Sequence, residues 1–223
     1  MNNLYRLLLI AFVISSISTN AQKKINLFNE KDLTGWYAFE PKTGKHENAS
    51  EVFSVEDNMI RLYGKDAGYL MSLENFENFQ LTAEFRWNTD TSFVRKSDNR
   101  NSGLMYLVPV ETADELWPKG IQFQIKENAS GDFILLQNVT LNVKGKKTIA
   151  GKSVESKFFK NAEKPVGEWN KIKITVKNGV VKQKLNGNLV NKGTESSVKN
   201  GRILLQYEGF PIDFRRVIIK KCK

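Results

Sequence analysis

Two glutamines and a glutamate pose the chemical question in this chain. Gln122 and Gln124 stand two apart in the run Ile121-Gln122-Phe123-Gln124-Ile125-Lys126, and Glu208 stands two after Gln206. Residues two apart on an extended chain share a face, so each pair presents neighbouring polar groups while the residues between turn away. A carboxylate held there can take or return a proton, and carboxamides beside it can donate hydrogen bonds to a developing negative oxygen. Glu84, Glu127, Asp132 and Asp213 are the other carboxylates weighed for such work. Arg215 carries a fork of N–H donors that suits an oxyanion or a carboxylate. Its plainer alternative is an ion pair to Asp213 or Glu208, and the plainer alternative for Glu208 is a solvated glutamate at a strand end. Other chemistries lack their parts. His46 is the only histidine, no serine elbow accompanies it, and no Cys or Asp cluster has zinc spacing. The glycines form no phosphate cradle. Asp98, Asn99 and Asn101 offer oxygens without the pattern of a calcium loop. No metal and no cofactor is expected.

These groups need a scaffold, and strand signals recur at short spacing along most of the chain. Over Phe79–Trp87, Phe79, Leu81, Ala83, Phe85 and Trp87 alternate with Gln80, Thr82, Glu84 and Arg86, the period-2 pattern of a half-buried strand. Residues 59–63, 104–108, 121–126 and 203–207 behave similarly. Asn178-Gly179 tolerates the positive φ angles of a two-residue hairpin turn. That turn pairs Val176 with Val181, Ile174 with Gln183 and Ile172 with Leu185 on a mostly apolar face. Thr175 then faces Lys182, and Lys173 faces Lys184, on the other. A one-residue slip would destroy this sorting. Asn186-Gly187 marks a further turn, and residues 88–100 and 165–167 read as loops. Many strands with almost no helical periodicity imply an all-β sandwich. Trp36, Trp87 and Trp169 sit beside strand-patterned apolar residues and read as core.

Residues 1–21 read as a removable export signal. Arg6 precedes an apolar run over residues 7–14, followed by small and polar residues ending in Thr19-Asn20-Ala21. A membrane span needs about 20 apolar residues, so no stable membrane insertion is expected. Residues 22–223 then form one domain, exported to a bacterial periplasm or cell surface. Cys222 is the only cysteine, which excludes an intrachain disulfide. The formal net charge of +10 concentrates in residues 141–192, where lysines far outnumber acids. Lysine without arginine or interleaved aromatics reads as a solvated face, and nucleic acid is not an expected partner. An anionic polysaccharide is a weaker alternative.

The run Asn26-Leu27-Phe28-Asn29-Glu30-Lys31-Asp32-Leu33-Thr34-Gly35-Trp36 resembles the opening motif of the 3-keto-disaccharide hydrolase domain family. Phe53-Ser54-Val55-Glu56-Asp57-Asn58, Gly68-Tyr69-Leu70, Phe76-Glu77-Asn78-Phe79-Gln80-Leu81 and Asn101-Ser102-Gly103-Leu104 follow in that family's order. So do Gly167-Glu168-Trp169-Asn170, Leu185-Asn186-Gly187, and Leu204-Leu205-Gln206-Tyr207-Glu208-Gly209 through Phe214-Arg215. The resemblance spans nearly all of residues 22–223. It implies a concanavalin A-like jelly roll of two antiparallel sheets, one curved to hold a sugar. It also implies cleavage of glycosides whose sugar carries a ketone at C3. Two positions depart from the pattern: Gln122 stands where many relatives have glutamate, and Leu107 where many have arginine or histidine.

That implied substrate lowers the chemical requirement. Ordinary glycoside hydrolysis uses two carboxyl groups, whereas a C3 ketone acidifies the hydrogen at C2, so one base can start an elimination. Glu208 as base with Gln122, Gln124 or Arg215 as donors is the expected machinery. Gln206, which shares a face with Glu208, and Asn101 and Tyr106 are further expected substrate contacts together with Gln122 and Gln124, and Trp117 before Pro118 is the expected stacking platform for a pyranose. The alternative reading is a sugar-binding module without catalysis, motivated by Gln122 and Leu107.

Overall fold

A computed structural model describes residues 24–222; the export-signal reading of residues 1–21 lies outside them. The strands in chain order are β1 (Lys24–Asn26), β2 (Trp36–Glu40), β3 (Gly44–His46), β4 (Ser54–Glu56), β5 (Met59–Leu62) and β6 (Gly68–Glu77). Next come β7 (Phe79–Trp87), β8 (Asn101–Val108), β9 (Gly120–Lys126), β10 (Phe133–Leu136), β11 (Asn142–Val143) and β12 (Lys146–Lys147). The last are β13 (Ser153–Ser156), β14 (Asn170–Lys177), β15 (Val180–Leu185), β16 (Asn188–Thr194), β17 (Asn200–Tyr207) and β18 (Ile212–Lys221).

They form two antiparallel sheets. An eight-stranded sheet runs β13-β10-β9-β8-β17-β6-β2-β3. A ten-stranded sheet runs β12-β11-β16-β15-β14-β7-β18-β5-β4, with β1 added to β18. The hairpin expected around Asn178-Gly179 forms in the stated register, Val176 with Val181, Ile174 with Gln183 and Ile172 with Leu185. Both turn residues have positive φ, 49° and 74°, as the tight turn requires.

The core lies between the sheets because each strand turns its apolar alternate residues inward. Leu81, Ala83 and Phe85 of β7 meet Leu104, Ile121, Phe123, Ile125, Leu205 and Tyr207 of the facing sheet in one buried cluster. Trp36 is buried there too, its indole N–H bonded to the Leu27 carbonyl at 2.7 Å. The Asn29 and Asp32 side chains accept backbone N–H bonds from Lys31, Asp32 and Thr34 and so shape the turn before it. The opening motif is therefore a structural device that carries the chain from β1 in one sheet to β2 in the other.

Alternation breaks once near the site. Tyr106 and Leu107 together oppose a single residue of β17, and Leu107 takes a φ of 56°, a β-bulge. Both side chains consequently face the inter-sheet core. Tyr106 was expected at the binding surface. It is instead fully buried, and its hydroxyl donates to Gln183 Oε1 of the facing sheet at 2.9 Å. Leu107, likewise without exposed surface, removes no group from a binding face.

Candidate functional site

Opposite the core, the outer face of the eight-stranded sheet holds a cavity of about 560 Å³ lined by Asn101, Trp117, Gln122, Gln124, Glu208 and Lys152, among others. Register explains the assembly. Gln122 lies opposite Met105 and Ile134, and Gln124 lies opposite Gly103, so these positions share the outer face. On β17, Ile203, Leu205 and Tyr207 point into the core, leaving Gln206 and then Glu208 on the side of the cavity. Gly103 is required at its position. A Cβ there would stand 2.4 Å from the Gln122 carboxamide carbon, so its absence lets the Gln122 side chain lie across β8.

The polar groups form one directed chain. A carboxylate only accepts, so Asn101 turns its Nδ2 to Glu208 Oε2. Its Oδ1 then accepts from Gln124 Nε2 at 3.0 Å, and Gln124 Oε1 accepts from Gln122 Nε2. Trp117 Nε1 donates to the other Glu208 oxygen at 3.2 Å. The chain ends on Gln122 Oε1, a buried acceptor without a protein partner among the described residues. Gln206, expected to contact substrate, is instead fully buried and is not among the residues that line the cavity. Buried polar groups are normally satisfied, and Gln122 Oε1, on the cavity lining, is free to accept a further hydrogen bond. Burial pushes the Glu208 carboxyl above the usual glutamate value of 4.5, against the opposing pull of the Trp117 and Asn101 hydrogen bonds.

The rest of this sheet face is closed. Tyr37, Phe39, Tyr69, Met71, Met105, Val108 and Leu204 form a buried apolar cluster beside the cavity. Asp114, in the loop over residues 109–119, accepts from the hydroxyls of Tyr37 and Tyr69, each at 2.6 Å. Arg202 adds bonds to Tyr37 and to the Pro109 carbonyl. The same loop carries Trp117, which lines the cavity and is 46% exposed. Hydrocarbon thus fills one end of the face and leaves the polar end open.

The structure brings Glu208, Asn101, Gln122, Gln124 and Trp117 together on one cavity, leaves Gln206 buried behind its lining, and separates Arg215 from them. Arg215 lies on β18 of the ten-stranded sheet, where its Nε donates to Glu84 Oε2 at 2.8 Å. The ion pair weighed for it exists, with Glu84 in place of Asp213 or Glu208. Its guanidinium stacks on Trp169, 3.9 Å from the ring centroid, and Trp169 is half-buried on that outer surface, a correction to its core assignment. The remaining carboxylates are also committed elsewhere: Asp213 to Arg86 and Tyr63, Glu127 to Arg100, Asp132 to Lys157 and the Phe158 N–H. Lys152, Ser153, Ile134, Leu136 and Gln137 complete the cavity. They lie on or beside β10 and β13, whose neighbours could not be ordered from alternation alone.

Comparison with known proteins agrees with this architecture. The chain resembles the "putative glycosyl hydrolase" of Parabacteroides distasonis ATCC 8503, with 21% identity and a TM-score of 0.63 over 90% of this chain and 94% of that one. It also resembles the β-glucanase of Bacillus licheniformis, with 12% identity and a TM-score of 0.56 over 92% and 100% of the two chains. The Emp47p carbohydrate recognition domain shares the fold at 12% identity and a TM-score of 0.52, over 89% and 94%. At these identities the likeness is one of fold, a concanavalin A-like jelly roll. No curated protein matches the chain in sequence. A sequence profile of the 3-keto-alpha-glucoside-1,2-lyase-like domain does match, over residues 23–220, the family that the opening motif and its collinear partners resemble. The chain belongs to the 3-keto-alpha-glucoside-1,2-lyase-like domain family.

Proposed function

We propose that this protein is an exported enzyme that cleaves 3-keto-glycosides by elimination at the Glu208 pocket. The observation that carries this reading is the solitary carboxylate: Glu208 is the one acid among the cavity's lining residues, and neutral donors hold it. Two-carboxylate hydrolysis lacks its second group there, whereas elimination needs one base. Glu208 takes the C2 proton, and the electron pair of that C–H bond moves into an enolate over C2, C3 and the C3 oxygen. The enolate re-forms the ketone as the C1–oxygen bond breaks. This leaves a C1–C2 double bond and passes the proton from Glu208 to the departing oxygen. A carboxyl whose pKa lies above that of free glutamate is better matched to both transfers. Lys152, a cation on the same cavity, supplies the enolate oxygen with the charge that Arg215 was expected to give. Trp117 stacks on the pyranose, while Gln122 Oε1 accepts from one of its hydroxyls.

The test offers the protein a disaccharide oxidised at C3 and its unoxidised parent. Release of the aglycone sugar with an unsaturated ketone absorbing in the ultraviolet, from the oxidised substrate alone, is the expected result. Hydrolysis of the parent at a similar rate would refute elimination. Gln122, in place of the family's more usual glutamate, favours a second reading, a binding module without turnover. Calorimetric binding of the oxidised disaccharide with no product formed would establish that reading instead.

A further inference from the structure

The outer face of the ten-stranded sheet carries a different chemistry from the pocket. Register sets Lys173 opposite Lys184, Lys182 opposite Lys192, and Lys220 opposite Lys24. Lys171 lies on the same face of β14, opposite Glu84. Lys147 joins at the sheet edge through Asn142 and Thr194. One basic track therefore crosses most of the sheet. Among the described residues, lysine ion pairs involve Lys42, Lys45 and Lys157, none of them on this track. Glu84 and Asp213 on this face are taken by arginines, Glu84 by Arg215 and Arg216 and Asp213 by Arg86.

Like charges directly opposed weaken a sheet, and neighbouring strands are only about 4.8 Å apart. Three such cross-strand pairs with no interleaved acid leave a surface that an extended polyanion would relieve. We propose that this face binds an acidic polysaccharide, one carrying carboxylate or sulfate groups along its length. The surface chemistry favours that partner over other polyanions. The half-buried Trp169 of this face is already engaged by the Arg86 and Arg215 guanidinium groups rather than open for stacking nucleic acid bases, and those arginines are committed to Asp213 and Glu84. Leu189 is the one large apolar side chain exposed on them, too little to enter a bilayer. The track and the pocket lie on opposite sheets, so a polymer held on one leaves the other free. The surface is then a tether that keeps the protein on a charged glycan.

The experiment measures binding of the whole protein to immobilised polygalacturonate and dextran sulfate, with neutral dextran, duplex DNA and phosphatidylserine vesicles as competing surfaces. The comparison protein carries Lys173→Gln, Lys182→Gln, Lys184→Gln and Lys192→Gln, all remote from the pocket. Binding to at least one acidic polysaccharide is expected, with little to dextran. It should weaken about tenfold or more in the variant and again in about 0.5 M salt, where the screening length falls to a few ångströms. The thermal midpoint of the unliganded variant should hold or rise, since repulsion is removed. The pair Lys182→Gln and Lys184→Gln carries the same test with a smaller loss. Equal binding by variant and parent, equal binding to dextran, or tighter binding to DNA or vesicles than to either acidic polymer would each overturn the proposal.

Discussion

Two glutamates on the two outer faces of this sandwich are treated in opposite ways. Glu84, on the ten-stranded sheet, receives Arg215 at 2.8 Å and Arg216 at 3.2 Å, and Arg215 and Arg86 both stack on Trp169. Its charge is closed by cations, and nothing is left over. Glu208, on the eight-stranded sheet, meets the N–H groups of Asn101 and Trp117 and no cation within ion-pair distance among the described residues. Burial lifts its pKa, and the amide chain behind it ends in open valences. A carboxylate locked by guanidinium is part of the scaffold. One held by neutral donors beside a cavity remains able to exchange a proton.

Substitutions at the two sites should dissociate cleanly. Replacing Glu208 by glutamine should lower turnover of a 3-keto disaccharide by about 10²- to 10⁴-fold, the usual worth of a positioned base, with the thermal midpoint unchanged or raised. Steady-state kinetics and calorimetry read both, and retained turnover would remove Glu208 from the mechanism. Asp213→Ala, which strips the fully buried partner of Arg86 and Tyr63, should cost about 3 kcal/mol of stability. Its kcat should be unaffected at temperatures where it stays folded. Arg215→Leu should cost about 1–3 kcal/mol with catalysis again intact; a matching loss of kcat would mean the two faces communicate.

Smaller effects sharpen the contrast. Gly103→Ala should force Gln122 off β8 and weaken sugar binding by about tenfold, since a lost pair of ligand hydrogen bonds is worth roughly 1–2 kcal/mol. Titration at Glu208 is the subtlest test. Its raised pKa means that kcat/KM should fall, on acidification, at a pH above 4.5, because the base must be ionised. The same shift stabilises the protonated folded form. Stability from this group is therefore complete below the unfolded value and is lost as pH rises through the folded one. Glu208→Gln should erase that slope in the thermal midpoint.

Strand alternation made much of this readable in advance. It sorted the Asn178-Gly179 hairpin to the residue, put Gln122 and Gln124 on one face, and set Gln206 and Glu208 opposite Ile203, Leu205 and Tyr207. Period-2 logic reports which residues share a face and is silent on which sheet a strand joins. Arg215 was lost for that reason: residues 208–211 cross between sheets, so β17 and β18, adjacent in sequence, end in different layers. Tyr106 was lost to a bulge, which one inserted residue creates without a compositional mark. Lys152 and Asp114 sit in or beside loops whose placement depends on distant partners. Trp169 looked like core because it leads into the strand-patterned Ile172, Ile174 and Val176, yet two guanidinium groups hold it at the surface.

The placement of β17 and β18 bears on how the molecule comes into being. Each lies within its sheet, β17 between β8 and β6 and β18 between β7 and β5, and Glu208 follows β17 at 107 residues' distance from Asn101. Neither layer can zip from one end along the chain; both wait for late segments to slot between early ones. Contacts so far apart in the chain assemble slowly, and the early strands meanwhile show unpaired edges to whatever is nearby. Strand order thus makes closure of both layers a late, long-range step, independent of what the finished pocket binds.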